Sequence, residues 1–167
     1  MKKLICVGGT MGIGKTTVCQ KLKYELEHSV FLDGDWCWDM NPFVVNDETK
    51  DMVLNNIAFQ LNSFIHCSCI DYIIFGWVMH EQSIIDGLMK RLDLKNVDVI
   101  QVSLICDEDK LKKQLEKDIC LGIRKHDVIT RSIERLSCYE GLSTLKIDTT
   151  SLSVEETVQR LKELIEE

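Results

Sequence analysis

A short glycine-rich stretch near the N-terminus carries the clearest chemical pattern of the sequence. Residues 9–16, GTMGIGKT, fit the phosphate-binding pattern G-x-x-x-x-G-K-[ST]. Glycine lets such a loop turn its backbone N–H groups inward around phosphate oxygens, while Lys15 supplies positive charge and the Thr16 hydroxyl is a ligand for Mg²⁺. The pattern predicts binding of a nucleoside triphosphate, assigned as ATP although GTP is an open alternative, with Mg²⁺. The predicted contacts are Gly9, Met11, Gly12, Ile13, Gly14, Lys15, Thr16 and Thr17.

Two carboxylates follow the next apolar run of the chain. Asp33 and Asp35 come directly after Val30-Phe31-Leu32. A carboxylate beside a γ-phosphate can deprotonate or orient an acceptor hydroxyl, or hold the metal. We assign Asp35 as the general base and Asp33, with Thr16, to the metal. The reverse assignment is open, and so is a plain turn at Asp33-Gly34.

The basic residues are distributed unevenly along the chain. Eight of the twenty lysines and arginines lie between residues 110 and 135, whereas residues 24–89 contain only Lys50. An anionic acceptor would need arginines, so the region after Asp33 favours a neutral or cationic acceptor.

All three tryptophans follow predicted strands in this acidic region, where they could stack on an aromatic or sugar ring. We take Asp33, Trp36 and Trp77 as candidate acceptor contacts. The alternative for any one tryptophan is an ordinary core position.

Apolar runs alternate with helical periodicity over the whole chain, which predicts an α/β protein with a parallel sheet. Ligands of such sheets bind at the carboxyl ends of the strands. This rule places the glycine-rich loop, residues 33–39 and residues 76–80 at one edge. A long helix is expected at about 48–67, with Asp47 as its cap.

Composition restricts the class of protein. With 167 residues, 45% hydrophobic and 28% charged, the chain is expected to form one soluble globular domain over 1–167. The net charge of −7 disfavours nucleic acids and anionic membranes as partners. The sequence has no apolar run long enough for a bilayer and no signal-peptide pattern, so a cytoplasmic location is expected. A monomer or a homodimer is expected, and the sequence does not decide between them.

The eight cysteines include no C-x-x-C pair, and most lie in apolar segments. They are therefore interpreted as small buried hydrophobic residues rather than as disulfides or zinc ligands.

Two motifs together resemble the small P-loop kinases, the superfamily of nucleoside monophosphate kinases, shikimate and gluconate kinases, and antibiotic phosphotransferases. The first is the loop at 9–16, and the second is RKHD at 124–127 followed by RLSCY at 135–139. The resemblance implies a three-layer P-loop kinase fold whose five-stranded parallel sheet has the order 2-3-1-4-5. It also implies an acceptor-binding region at about 33–90 and a short lid-like segment at about 110–135.

The resemblance further implies that Arg124 and Arg135 are catalytic contacts to the phosphates, together with Lys15, and that Arg131 is an alternative to either arginine. The chain lacks the Asp-Gly-x-Pro-Arg motif that follows the third strand in nucleoside monophosphate kinases. We therefore predict an ATP-dependent phosphotransferase that acts on a hydroxyl of a small molecule, namely a nucleoside, sugar or antibiotic. The alternatives are a nucleoside monophosphate kinase and a nucleotide-dependent switch with little turnover.

Overall fold

Five parallel strands form the centre of the molecule. The computed structural model describes residues 1–166. The strands are β1 (Lys2–Gly8), β2 (Ser29–Asp33), β3 (Tyr72–Gly76), β4 (Val97–Ile105) and β5 (Leu145–Asp148). Their order in the sheet is β2-β3-β1-β4-β5, and every neighbouring pair is parallel. The sheet order and parallel arrangement expected from the sequence are confirmed.

Helices cover both faces of the sheet. In the described part of the chain they are α1 (Lys15–Glu25), α2 (Asp47–His66), α3 (Gln82–Met89), α4 (Glu108–Cys120), α5 (Val128–Glu134) and α6 (Val154–Glu166). Two 3₁₀-helices, Gly34–Trp38 and Leu136–Tyr139, lie between these elements. None of the described helices combines the length and the apolar character that a membrane crossing requires.

The central strand β1 is buried on both faces because its side chains alternate between two separate cores. Ile5 and Val7 pack in one core with α1, α4 and α6. Leu4 and Cys6 pack in the other with α2 and α3. The sheet is therefore the middle layer of a three-layer α/β fold, which confirms the fold class expected from the sequence.

The start of α2 differs from the expectation. Asn46, rather than Asp47, is the capping residue, since its side-chain oxygen accepts from the Thr49 N–H at 2.8 Å. The Thr49 hydroxyl in turn accepts from the Asn46 N–H at 3.0 Å. The prediction of Asp47 as the cap was wrong. Asp47 is already the first residue of the helix, and the cap of a capping box is the residue before it.

Replacing Asn46 with alanine should lower the free energy of unfolding by about 1 kcal/mol, because the Thr49 N–H loses the side-chain oxygen that caps it. Asp47→Ala is the matched control and should cost less, since this exposed carboxylate acts mainly on the helix dipole. Urea denaturation of both variants measures the difference. A larger loss for Asp47→Ala would contradict the assignment of the cap.

Candidate active site

The glycine-rich loop joins the end of β1 to the start of α1. Gly12 has φ +83°, and a Cβ atom there would lie 2.3 Å from Leu115 Cδ2 of α4. Gly14 precedes α1 with φ +101°, in the left-handed region that glycine adopts without strain. The first turn of α1 has neither a side-chain cap nor an acidic residue. Its leading N–H groups are therefore available to an anion, as expected of a phosphate-binding loop.

Lys15 reaches back across this loop. Its Nζ atom donates to the carbonyl oxygens of Gly9 at 2.7 Å and Thr10 at 3.0 Å. In the described part of the chain no carboxylate lies within ion-pair distance of this ammonium group. Burial of the ammonium group lowers the pKa of Lys15 to about 8, although the charges of Asp35 and Asp33 oppose that shift. A buried cation without an ion-pair partner is suited to receive an anion.

Asp33 lies at the carboxyl end of β2 and connects two parts of the site. One carboxylate oxygen accepts from the Thr16 hydroxyl at 2.8 Å, and the other accepts from the Asp35 backbone N–H at 3.0 Å. Thr16 and Asp33 thus place a hydroxyl and a carboxylate side by side, and both are hard oxygen ligands of the kind that Mg²⁺ prefers. No group of three or more His, Cys, Asp or Glu residues suited to a metal ion exists within 1–166. Mg²⁺ would therefore depend on these two residues together with phosphate oxygens and water.

Asp35 lies in the 3₁₀-helix that follows β2. Partial burial of its carboxyl group and repulsion from Asp33 raise its pKa. The positive charges of Lys15 and Arg124 and a hydrogen bond from Trp77 act in the opposite direction. Asp35 therefore belongs to one electrostatic cluster with residues of the phosphate-binding loop and of the segment after α4.

The predicted acceptor tryptophans have different environments. Trp36 is 56% exposed and packs edge-on against Phe31, with ring centroids 5.5 Å apart. Trp77 is only 8% exposed and lies directly under Gly34, where a Cβ atom would come within 2.4 Å of its ring. Trp77 therefore supports the 3₁₀-helix from below, whereas Trp36 presents an aromatic surface to solvent.

The third tryptophan of the acidic region, Trp38, packs with a further aromatic residue that the sequence did not indicate, Phe43. Trp38 lies between Trp77, at 6.4 Å between ring centroids, and Phe43, at 5.7 Å. Phe43 is 66% exposed. No sequence pattern indicates that Phe43 folds back onto Trp38.

The two predicted arginines occupy different positions. Arg124 donates through Nε to Asp118 at 3.0 Å, and its charge acts on both Lys15 and Asp35. Arg135 follows α5 and acts electrostatically on His80 and Tyr139 instead. Arg131 is exposed on α5. The structure thus brings Arg124 to the cluster around Lys15 and brings Arg135 to the residues that follow β3.

Hydrogen bonds that the sequence did not indicate attach the glycine-rich loop to α5 and to the residues that follow β3. The Thr10 hydroxyl donates to the Ser132 carbonyl oxygen at 2.8 Å. The Val78 carbonyl oxygen accepts from the Gly9 N–H at 3.5 Å and from the Tyr139 hydroxyl at 2.5 Å. Tyr139 belongs to the RLSCY motif, and this was the only sequence signal for its position.

Solved structures with this fold include several kinases. The chain superposes on the Deinococcus radiodurans tunicamycin resistance protein with a TM-score of 0.73 and 16% identity, covering 99% of this chain and 96% of that one. For a gluconokinase from Sinorhizobium meliloti 1021 the TM-score is 0.69 with 17% identity and coverage of 98% and 95%. For the Mycobacterium tuberculosis APS kinase, solved with AMPPNP and APS, it is 0.66 with 14% identity and coverage of 99% and 98%. These likenesses confirm the P-loop kinase fold.

Sequence comparisons give the family. A search of curated protein sequences found no match. A family model described as an AAA domain matches residues 5–127, which include the phosphate-binding loop, Asp33, Asp35 and Arg124. Because this match covers well over half of the described chain, the protein belongs to the AAA domain family.

Proposed function

We propose that the protein is a kinase that transfers the γ-phosphate of ATP to a hydroxyl group of a small molecule. The observation that carries the proposal is the cluster of Asp35, Lys15 and Arg124, in which a carboxylate with a raised pKa is under the influence of the loop lysine and of an arginine from the segment after α4. Such a carboxylate is a stronger base than an ordinary aspartate. The fold likeness to a gluconokinase and a tunicamycin resistance protein supports a sugar, nucleoside or antibiotic as the acceptor.

The donor side consists of the loop and the start of α1. The N–H groups of residues 9–17 would surround the phosphates, and Lys15 would exchange its bonds to the Gly9 and Thr10 carbonyls for phosphate oxygens. Thr16 and Asp33 would hold Mg²⁺, which when bound neutralises charge on the phosphates. These residues bind and orient the donor.

Positive charge at the transferring group would come from Arg124. Asp118 holds the guanidinium through Nε, which leaves the remaining N–H groups free to donate to a phosphate. Arg135, which acts electrostatically on His80, would be the second arginine to contact the phosphates, and Arg131 is the alternative to it. Arg124, held by Asp118, would thus need little reorganisation before transfer, and a fixed charge of this kind stabilises a transition state.

The acceptor would occupy the space beside Asp35 and Trp36. Asp35 would orient the hydroxyl and accept its proton, while the exposed face of Trp36 stacks on a ring. Arg91, the first arginine after this region, is already bonded to Asp51 and Asn55. Residues 33–90 therefore offer carboxylates and aromatic rings but no arginine of their own, which favours a neutral or cationic acceptor.

A screen of acceptors by ADP release tests the proposal. Nucleosides, sugars and aminoglycoside-type or nucleoside antibiotics are compared with nucleoside monophosphates, each with ATP and Mg²⁺. We expect a hydroxyl compound to stimulate turnover and the monophosphates not to do so. Stimulation by monophosphates alone would indicate a nucleotide kinase. ATP binding without stimulation by any acceptor would favour a nucleotide-dependent switch.

Asp35→Asn should lower kcat by at least about 10²-fold, because the acceptor hydroxyl loses its proton acceptor. Affinity for ATP, measured by calorimetry, should change little. Asp39→Asn is the matched control, since it removes an exposed carboxylate from the next loop. Equal kcat for Asp35→Asn and the unmodified protein would place the base elsewhere.

The lowered pKa of Lys15 predicts a pH dependence of nucleotide affinity. Below pH 8 the lysine of the free protein is protonated; above it the free protein loses the proton that phosphate binding requires. Affinity for a non-hydrolysable ATP analogue should therefore fall above pH 8, by up to about tenfold per pH unit. Calorimetry in two buffers of different ionisation enthalpy should detect uptake of a proton.

Lys15→Met should bind the analogue weakly and show no such slope. A slope that persists in this variant would assign the pH dependence to another group.

A further inference from the structure

A pair of thiols lies at the edge of the sheet opposite the phosphate-binding loop. Cys67 and Cys69 occupy the turn between the end of α2 and the start of β3, and their Sγ atoms are 3.3 Å apart. The Ile70 N–H closes this turn by donating to the Cys67 carbonyl oxygen at 3.3 Å. The turn therefore holds the two sulfur atoms in contact. The interpretation of the cysteines as buried residues is correct for Cys6 and Cys19 but wrong for this pair.

The surroundings of the pair favour a thiolate. The Cys69 thiol donates toward Cys67 and lowers the pKa of Cys67, and the ammonium group of Lys2 acts in the same direction. Lys2 is fixed in place because its Nζ donates to the carbonyl oxygens of Cys67, at 2.6 Å, and Ile70. By contrast, burial raises the pKa of Cys6 to about 12. Since thiolates are the reactive form of cysteine, Cys67 is placed to act as a nucleophile.

The two sulfur atoms are already near the separation that a disulfide bond requires. A disulfide has its sulfur atoms about 2.05 Å apart, so the 3.3 Å gap between the two Sγ atoms needs to shorten by about 1.25 Å for the bond to form. Cys69 is exposed and Cys67 is partly exposed, so a small reagent can reach both sulfurs. Two other exposed cysteines, Cys120 and Cys138, have no thiol neighbour among the described hydrogen bonds.

We propose that Cys67 and Cys69 form a thiol–disulfide exchange site for low-molecular-weight disulfides of the glutathione type. The Cys67 thiolate attacks one sulfur of the disulfide, the S–S bond breaks, and one thiolate leaves and takes up a proton. Cys69 then loses its proton and attacks Cys67 Sγ, so that the second thiol leaves. Two protein thiols are oxidised to one disulfide, and one small disulfide is reduced to two thiols. The site is independent of the proposed kinase function.

Mass spectrometry of the full-length reduced protein tests the site. The protein is incubated with glutathione disulfide, quenched with acid, alkylated and digested. We expect a peptide linked between Cys67 and Cys69, with two glutathione molecules released for each link. This reaction should be at least about tenfold faster than glutathione addition at Cys120 or Cys138. The readout does not depend on any catalytic turnover.

Two variants sharpen the result. Cys69→Ser should accumulate one stable glutathione adduct at Cys67, because the resolving thiol is gone. Cys138→Ser is the matched control and should form the Cys67–Cys69 link at the unmodified rate. Absence of this link, or adducts in Cys69→Ser spread equally over Cys67, Cys120 and Cys138, would overturn the proposal.

Discussion

The arrangement of the candidate active site depends on the two hydrogen bonds of the Asp33 carboxylate. One oxygen binds the Thr16 hydroxyl at the start of α1, and the other binds the backbone N–H of Asp35. Asp33 is only 8% exposed, and a buried carboxylate must be satisfied by such donors. The same residue therefore sets the distance between the loop that would hold the phosphates and the 3₁₀-helix that carries Asp35. It could not be replaced by asparagine without exchanging one acceptor for a donor.

A second set of contacts fixes the opposite side of the loop. Thr10 is bonded to Ser132, and Val78 is bonded to both Gly9 and Tyr139. The glycine-rich loop is thus held between the residues that follow β3 and helix α5. These bonds hold the loop from the side opposite α1, whereas the N–H groups at the start of α1 have no side-chain cap and remain available to a ligand.

The sequence predicted the features that depend on local pattern and general topology. The glycine-rich loop and the order of the sheet follow from a motif and from the alternation of strands and helices, and the topology rule put Asp33 and Asp35 beside that loop. Features that depend on tertiary contact were missed. Trp77 is buried because it packs against Gly34, which is distant in the sequence. Arg124 and Arg135 lie near different residues of the site because a turn separates α4 from α5. Likewise, Cys67 and Cys69 lie in a sequence that looks apolar, but the turn there faces solvent.

The opposite charges of Lys15 and Asp35 link the two halves of the proposed reaction. Burial disfavours both charged forms, since it lowers the pKa of Lys15 and raises that of Asp35. An anionic triphosphate in the loop would favour the protonated lysine, and its negative charge would raise the pKa of Asp35 further. Bound donor would therefore make Asp35 a better proton acceptor for an incoming hydroxyl. The donor would exert this effect on Asp35 through electrostatics alone, without any change in the fold.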